Sequence, residues 1–134
     1  MSTSMSKSIQ FIDSKAVQAR PEFYMRVELN VAEILKNWQL SVFSYEWMEK
    51  DGSLKANADL KESDQSKQND ILETLQKNNS VDIPVLGIGI QDNVEIGSGK
   101  AVLCTLATQG IQTIPAHIPK SNESDFQNFQ ADIK

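Results

Sequence analysis

The sequence predicts an α+β fold, a small mixed sheet with packed helices, and three observations carry that prediction. In MRVELNV, Met25, Val27, Leu29 and Val31 alternate with polar residues, the period of a half-buried strand. Between Ser63 and Asn78 the spacing becomes helical, with Gln68, Ile71, Leu72 and Leu75 on one face. From Ile83 onward, IPVLGIGI, VEIGSGK, AVLCTLATQG and TIPAHI read as strand, strand, helix and strand in close succession.

Residues 1–20 are polar and Ser-rich, with Ile9, Phe11, Ile12 and Val17 as the only sizeable apolar anchors beyond the methionines. They are expected to form a flexible arm, with residues 21–134 as one domain. After the strand at residues 25–31, AEILKN is short and compatible with a helix. LSVFSYEW, residues 40–47, alternates again and is expected to be a strand with Phe43, Tyr45 and Trp47 on one face. That stripe is either core packing or an exposed platform for a base or a partner. Asp51-Gly52 suits a two-residue hairpin turn, with SLKAN returning. Ser63 or Asp64 is the expected N-cap of the amphipathic helix, and Asn78-Asn79 its end.

In VDIPVLGIGI, Leu86, Ile88 and Ile90 share one strand face, and Val85, Gly87 and Gly89 share the other. Two glycines on one face imply a close approach by a helix, another backbone or a ligand. Gln91-Asp92-Asn93 reads as a turn and Val94-Glu95-Ile96 as a short strand that runs into Gly97-Ser98-Gly99-Lys100. AVLCTLAT is apolar on nearly every side, as a short buried helix would be, and Gly110 is placed to end it. Ile114, Ala116 and Ile118 alternate with Pro115, His117 and Pro119, so this strand is expected at a sheet edge, where proline's missing donor does no harm. Ser124 to Gln127 matches a capping box, and Phe126, Phe129 and Ile133 are spaced for a short docking helix.

A chain of 134 residues can bury a core without a metal or disulfide. The absence of a long apolar run and of a secretory signal makes the cytoplasm the expected location, with no membrane contact. One cysteine, Cys104, and one histidine, His117, are too few to build a metal site without several carboxylates, so no metal is expected. The net charge of -5 and the presence of only two arginines, Arg20 and Arg26, argue against nucleic acid as a partner. A protein partner is the expectation, and the oligomeric state is left open.

The motifs IPVLGI, IGSGKA and GIQTIPAHI, in that order, resemble the ParB/sulfiredoxin-like superfamily. The resemblance spans about residues 22–130, with Gln39 to Asp64 as an addition to the common core. It implies a glycine corner that binds nucleotide phosphates or carries chemistry. Direct matching puts Gly97, Ser98, Gly99 and Lys100 on the corner, with Lys100 in place of the family's final arginine. Counting back from Pro115 instead puts Val102 at the arginine. In either register the Cys and His of a sulfiredoxin are missing, so the resemblance is to a degenerate member without that activity. ParB-like proteins are frequent on plasmids and other mobile elements, which makes a role there the implied setting.

The corner itself has two physical readings. Free N–H groups and the positive end of the helix dipole, beside glycines, favour an anion at Gly97, Ser98, Gly99, Lys100 and Ala101. A chain that merely turns sharply needs the same glycines. The phosphate loop of nucleotide triphosphatases is absent, because Val94 stands at its first glycine and Ala101 follows the lysine. The expected function is therefore a small binding or regulatory module, with a nucleotide or phosphate held weakly at the corner. The alternative is a ParB-like nuclease or nucleotide hydrolase that uses Lys100 and His117. Cys104, inside the apolar helix, is expected to be an inert core thiol.

Overall fold

A computed structural model describes residues 9–131. The fold is α+β, with a four-stranded mixed sheet and a separate two-stranded parallel ribbon. The ribbon pairs β1 (Gln10–Ile12) with β3 (Ser80–Asp82). The larger sheet contains β2 (Tyr24–Asn30), β4 (Val85–Ile88), β5 (Val94–Ser98) and β6 (Thr113–Pro119), in the order β2-β6-β4-β5. The helices are α1 (Lys15–Ala19), α2 (Val31–Trp38), α3 (Glu62–Gln76) and α4 (Lys100–Thr108).

Alternation in β2 has the predicted consequence. Val27 and Leu29 are buried and lie opposite Ala116 and Ile114 of β6. Leu86 of β4 pairs with Ile96 of β5 and Ile88 with Val94, which continues the apolar face across the sheet. Trp38, Leu103, Leu106 and Phe126 are buried in the same core. Each fully buried side chain of this size contributes about 1.5–3 kcal/mol of transfer free energy.

β6 lies inside the sheet, not at its edge, and its prolines are accommodated by alternation. The odd-numbered residues of β6 direct their N–H positions toward β4, where His117 N–H alone donates, to the Pro84 carbonyl at 2.9 Å. Pro115 and Pro119 flank that single bond, so the donors they lack fall where the two strands pair only at Val85 and His117. The even-numbered residues are free to make the full ladder with β2.

Three other expectations are corrected. The stretch from residue 9 to residue 20 is docked on the domain, because β1 pairs with β3 and Val17 is buried; residues 1–8 of the expected arm lie outside the described residues. LSVFSYEW is not a strand. Ser41 caps a 3₁₀ turn over Val42–Glu46, its hydroxyl accepting from Phe43 N–H at 3.1 Å. The turn therefore separates Phe43 and Tyr45, 57% and 68% exposed, from Trp47, 2% exposed. The C-terminal segment Ser124–Phe129 is also 3₁₀, without the capping hydrogen bond; Phe126 is buried as expected, and Ile133 lies outside the described residues.

Local signals fare better at the turns. Asp51-Gly52 closes a tight loop, with Gly52 at φ 90° and one bridge, Met48 with Leu54, in place of a longer hairpin. The C-terminus of α3 is a Schellman motif: Asn78 sits at φ 58°, and Asn79 N–H donates to the Thr74 carbonyl at 3.0 Å. Gly110 does the same for α4, where Ile111 N–H donates to the Leu106 carbonyl at 3.1 Å. The N-terminus of α3 falls at Lys61, with no side-chain cap, so neither Ser63 nor Asp64 serves as one.

Candidate functional site: a charged cleft at the glycine corner

β5 ends in a bulge that shapes the corner. Leu86 of β4 pairs with Ile96, while Val85 pairs with Ser98, so Gly97 is the extra residue. Gly99 then adopts φ 83°, and α4 starts directly after it without a side-chain cap. A Cβ on Gly99 would come within 2.7 Å of Pro84 Cα. Tight packing against Pro84, just before β4, thus explains this glycine whether or not a ligand binds. Gly97 carries no such demand, since a Cβ there would meet Val85 O at 3.4 Å.

The corner opens into a cleft of about 380 Å³, at the small end of ligand sites. Gly97, Ser98, Gly99, Lys100 and Ala101 form one wall. The other is made by Glu46 and Trp47 from the 3₁₀ segment and by Lys61, Ser63, Asp64 and Lys67 around the first turns of α3. All five predicted phosphate-binding residues therefore share one cavity.

Lys100 is already engaged there. Its Nζ lies 3.6 Å from Glu46 Oε1, and Lys61 Nζ lies 2.8 Å from Glu46 Oε2. The Lys61 ammonium, with a smaller contribution from Lys100, holds the Glu46 carboxyl below its usual range. Lys61 is in turn raised, chiefly by its hydrogen bond to Glu46. The Lys100 ammonium also lies 5.9 Å from the Trp38 ring and 6.0 Å from the Phe43 ring, within cation–π range. Asp64 is only 4% exposed, and its Oδ2 has no hydrogen-bond partner among the described residues.

The other predicted residues lie elsewhere. His117 is not among the residues of the cleft. It is buried, with Nε2 3.7 Å from Asp13 Oδ1 and with no partner for Nδ1 among the described residues. Burial pushes the imidazole below its ordinary range, against the opposing pull of Asp13 and with help from Arg26. Lys100 and His117 are thus not brought together in the cleft as a catalytic pair. Gly87 and Gly89 do not line it either. Gly89 leaves room for the Glu95 stem, whose Cγ a Cβ would approach to 2.8 Å, and that carboxylate accepts from Ser41 Oγ at 2.7 Å and Asn93 Nδ2 at 3.1 Å. Cys104 is fully buried beside the cleft, and desolvation pushes its thiol up to about 12.

Sequence reasoning did not assign Glu46, Lys61 or Lys67 to the site, and it singled out Asp64 only as a candidate helix cap. Ser63, Asp64 and Lys67 do share a helical face by spacing, but the Glu46–Lys61 contact joins residues with no periodic relation. A larger groove of about 750 Å³ runs between α2, the Asp51-Gly52 loop and the C-terminal end of α4, away from the corner. Among the described residues, no group of three or more His, Cys, Asp or Glu is placed to hold a metal, and no helix is long and apolar enough to cross a membrane. Family models, curated proteins and solved structures give no match to this chain.

Proposed function

We propose that this protein is a small binding or regulatory module, built on a degenerate ParB/sulfiredoxin-like scaffold, whose cleft at Gly97 to Lys100 takes the phosphate of a nucleotide. The observation that carries the reading is the cleft itself. An uncapped α4 start, a glycine bulge and three lysines, Lys61, Lys67 and Lys100, share one cavity. Backbone N–H groups at such a helix start supply donors and a favourable dipole, and the lysines supply charge. Asp64, buried with an unpartnered oxygen at the same cavity, is suited to accept from a donor that the ligand brings. Kinship with the superfamily is supported by the passage from β5 through Gly99 into α4 and by β6 running parallel beside β4. By that kinship, plasmid or mobile-element biology is the setting we propose.

Glu46 and Asp64 offset much of the lysine charge, so binding at the corner is weak. Titrating ATP, CTP and GTP while following backbone amide shifts tests the reading. Movement at residues 97–102 supports it, and none at millimolar nucleotide removes it.

A second reading is self-association through the Phe43 and Tyr45 face. It is favoured by the exposure of Leu40, Val42, Phe43 and Tyr45 in one short segment. Sedimentation velocity across a concentration series tests it, with a Tyr45→Ser variant expected to stay monomeric if the face is responsible.

A further inference from the structure

We infer that Glu46 is a built-in competitor for the cleft, its carboxylate holding the two lysines that a phosphate would otherwise engage, so that ligand binding releases the Val42–Glu46 turn. This rests on the anion-binding reading of the cleft. One carboxylate spans both cations, with Oε2 2.8 Å from Lys61 and Oε1 3.6 Å from Lys100. Glu46 reaches them from a 3₁₀ turn that belongs to no sheet ladder and is held by short-range backbone bonds, Ser44 N–H to the Ser41 carbonyl and Trp47 and Met48 N–H to the Ser44 carbonyl. The helix start behind it is left without a side-chain cap, and Glu46 satisfies the lysines without satisfying those N–H groups. A phosphate has more acceptor oxygens and more charge than a carboxylate. At the same place it can engage Lys61, Lys100 and the α4 start together.

Asp64 is the second, independent sign of a ligand. It is 4% exposed, lines the cleft and carries an oxygen with no partner among the described residues. A ligand that brings both an anionic group and a hydrogen-bond donor would satisfy the helix start and this carboxylate at once. Displacing Glu46 would loosen the turn between Phe43 and Glu46, with Trp47 still buried in the core. Ser41 would stay tied to β5 through Glu95.

The test compares wild type with Glu46→Gln, titrated with inorganic phosphate and, in a separate arm, with CTP. Amide shifts report binding at residues 97–102, and hydrogen exchange reports the Ser44, Trp47 and Met48 amides, which close the turn on Ser41 and Ser44 carbonyls. Removing the competing charge should tighten phosphate binding about fivefold, the scale of one screened ion pair. In wild type, ligand should speed exchange at the three turn amides; in Glu46→Gln that exchange is already fast and ligand changes it little. Tighter binding of CTP than of inorganic triphosphate, added as a control that matches its phosphate chain, assigns the donor that Asp64 accepts to the nucleoside, and equal binding assigns it to the phosphates. If Glu46→Gln does not fold, Glu46→Asp, which keeps the charge but shortens its reach, should bind more tightly than wild type. Binding in wild type that no Glu46 variant improves overturns the competitor and leaves the anion site standing. No shift at residues 97–102 in any protein overturns both.

Discussion

Replacing Gly99 with alanine separates the two demands made on the corner. Gly99 has φ 83°, and an alanine held there costs about 1–2 kcal/mol from the left-handed backbone. Its methyl would also lie 2.7 Å from Pro84 Cα and 3.0 Å from Pro84 Cβ. Neither atom is the end of a flexible side chain, so β4 or the start of α4 must shift, at a further cost of about 1–3 kcal/mol. The total, about 2–5 kcal/mol, is a large share of the roughly 5–15 kcal/mol that holds a domain folded. A Tm drop on the order of 10 °C should follow. Gly110→Ala is the internal control, because Gly110 shares φ 83° but a Cβ there would meet nothing within 4 Å. It should cost only about 1 kcal/mol, since the strain is partly offset by a less flexible unfolded chain. Urea denaturation of the three proteins, with equal m-values, measures both differences. If Gly99→Ala is as stable as Gly110→Ala, the close approach to Pro84 is not a constraint and the packing account of the corner is wrong.

Acid should act first through His117. Its folded pKa is lowered by burial, so the unfolded chain binds the proton more readily, and stability is complete above the unfolded value near 6.5 and falls as pH drops below it. Wild type is expected to lose stability between pH 7 and pH 5 in urea titrations, and His117→Leu to lose little in that window; an equal loss in both would place the cause elsewhere. Cys104, pushed up to about 12, should remain unmodified by a disulfide reagent at pH 8 in the folded protein and react at once in urea. Trp38→Ala removes a fully buried indole from the core and should cost about 3–5 kcal/mol by chemical denaturation, against less than about 0.5 kcal/mol for Val42→Ala on the exposed turn.

Much of the scaffold could be read along the chain because its signals are local. Alternation placed β2, and an apolar stretch flanked by Gly99 and Gly110 placed α4, because backbone geometry at a glycine and burial on one face need no knowledge of distant partners. LSVFSYEW shows the limit. Its alternation is that of a strand, yet Ser41 caps a 3₁₀ turn, and its neighbours on β5, through Glu95, fix the segment by a contact across 54 residues. The edge assignment of β6 failed for a related reason. Proline forbids a donor on one side of a strand, and only pairing shows which side faces a partner that needs it.

The chain by itself determined the strand-to-helix corner, because tolerance of φ > 0 is glycine's own property, and it placed Gly97 to Lys100 there. Tertiary structure alone decided what faces that corner. Glu46 and Lys61 meet because the 3₁₀ turn and the start of α3 converge on β5 and α4, and Asp64 is buried by the same convergence. Coulomb attraction and desolvation depend on distance in space. Residues 15 or 54 positions apart acquire a shared chemistry only once the core has brought them together.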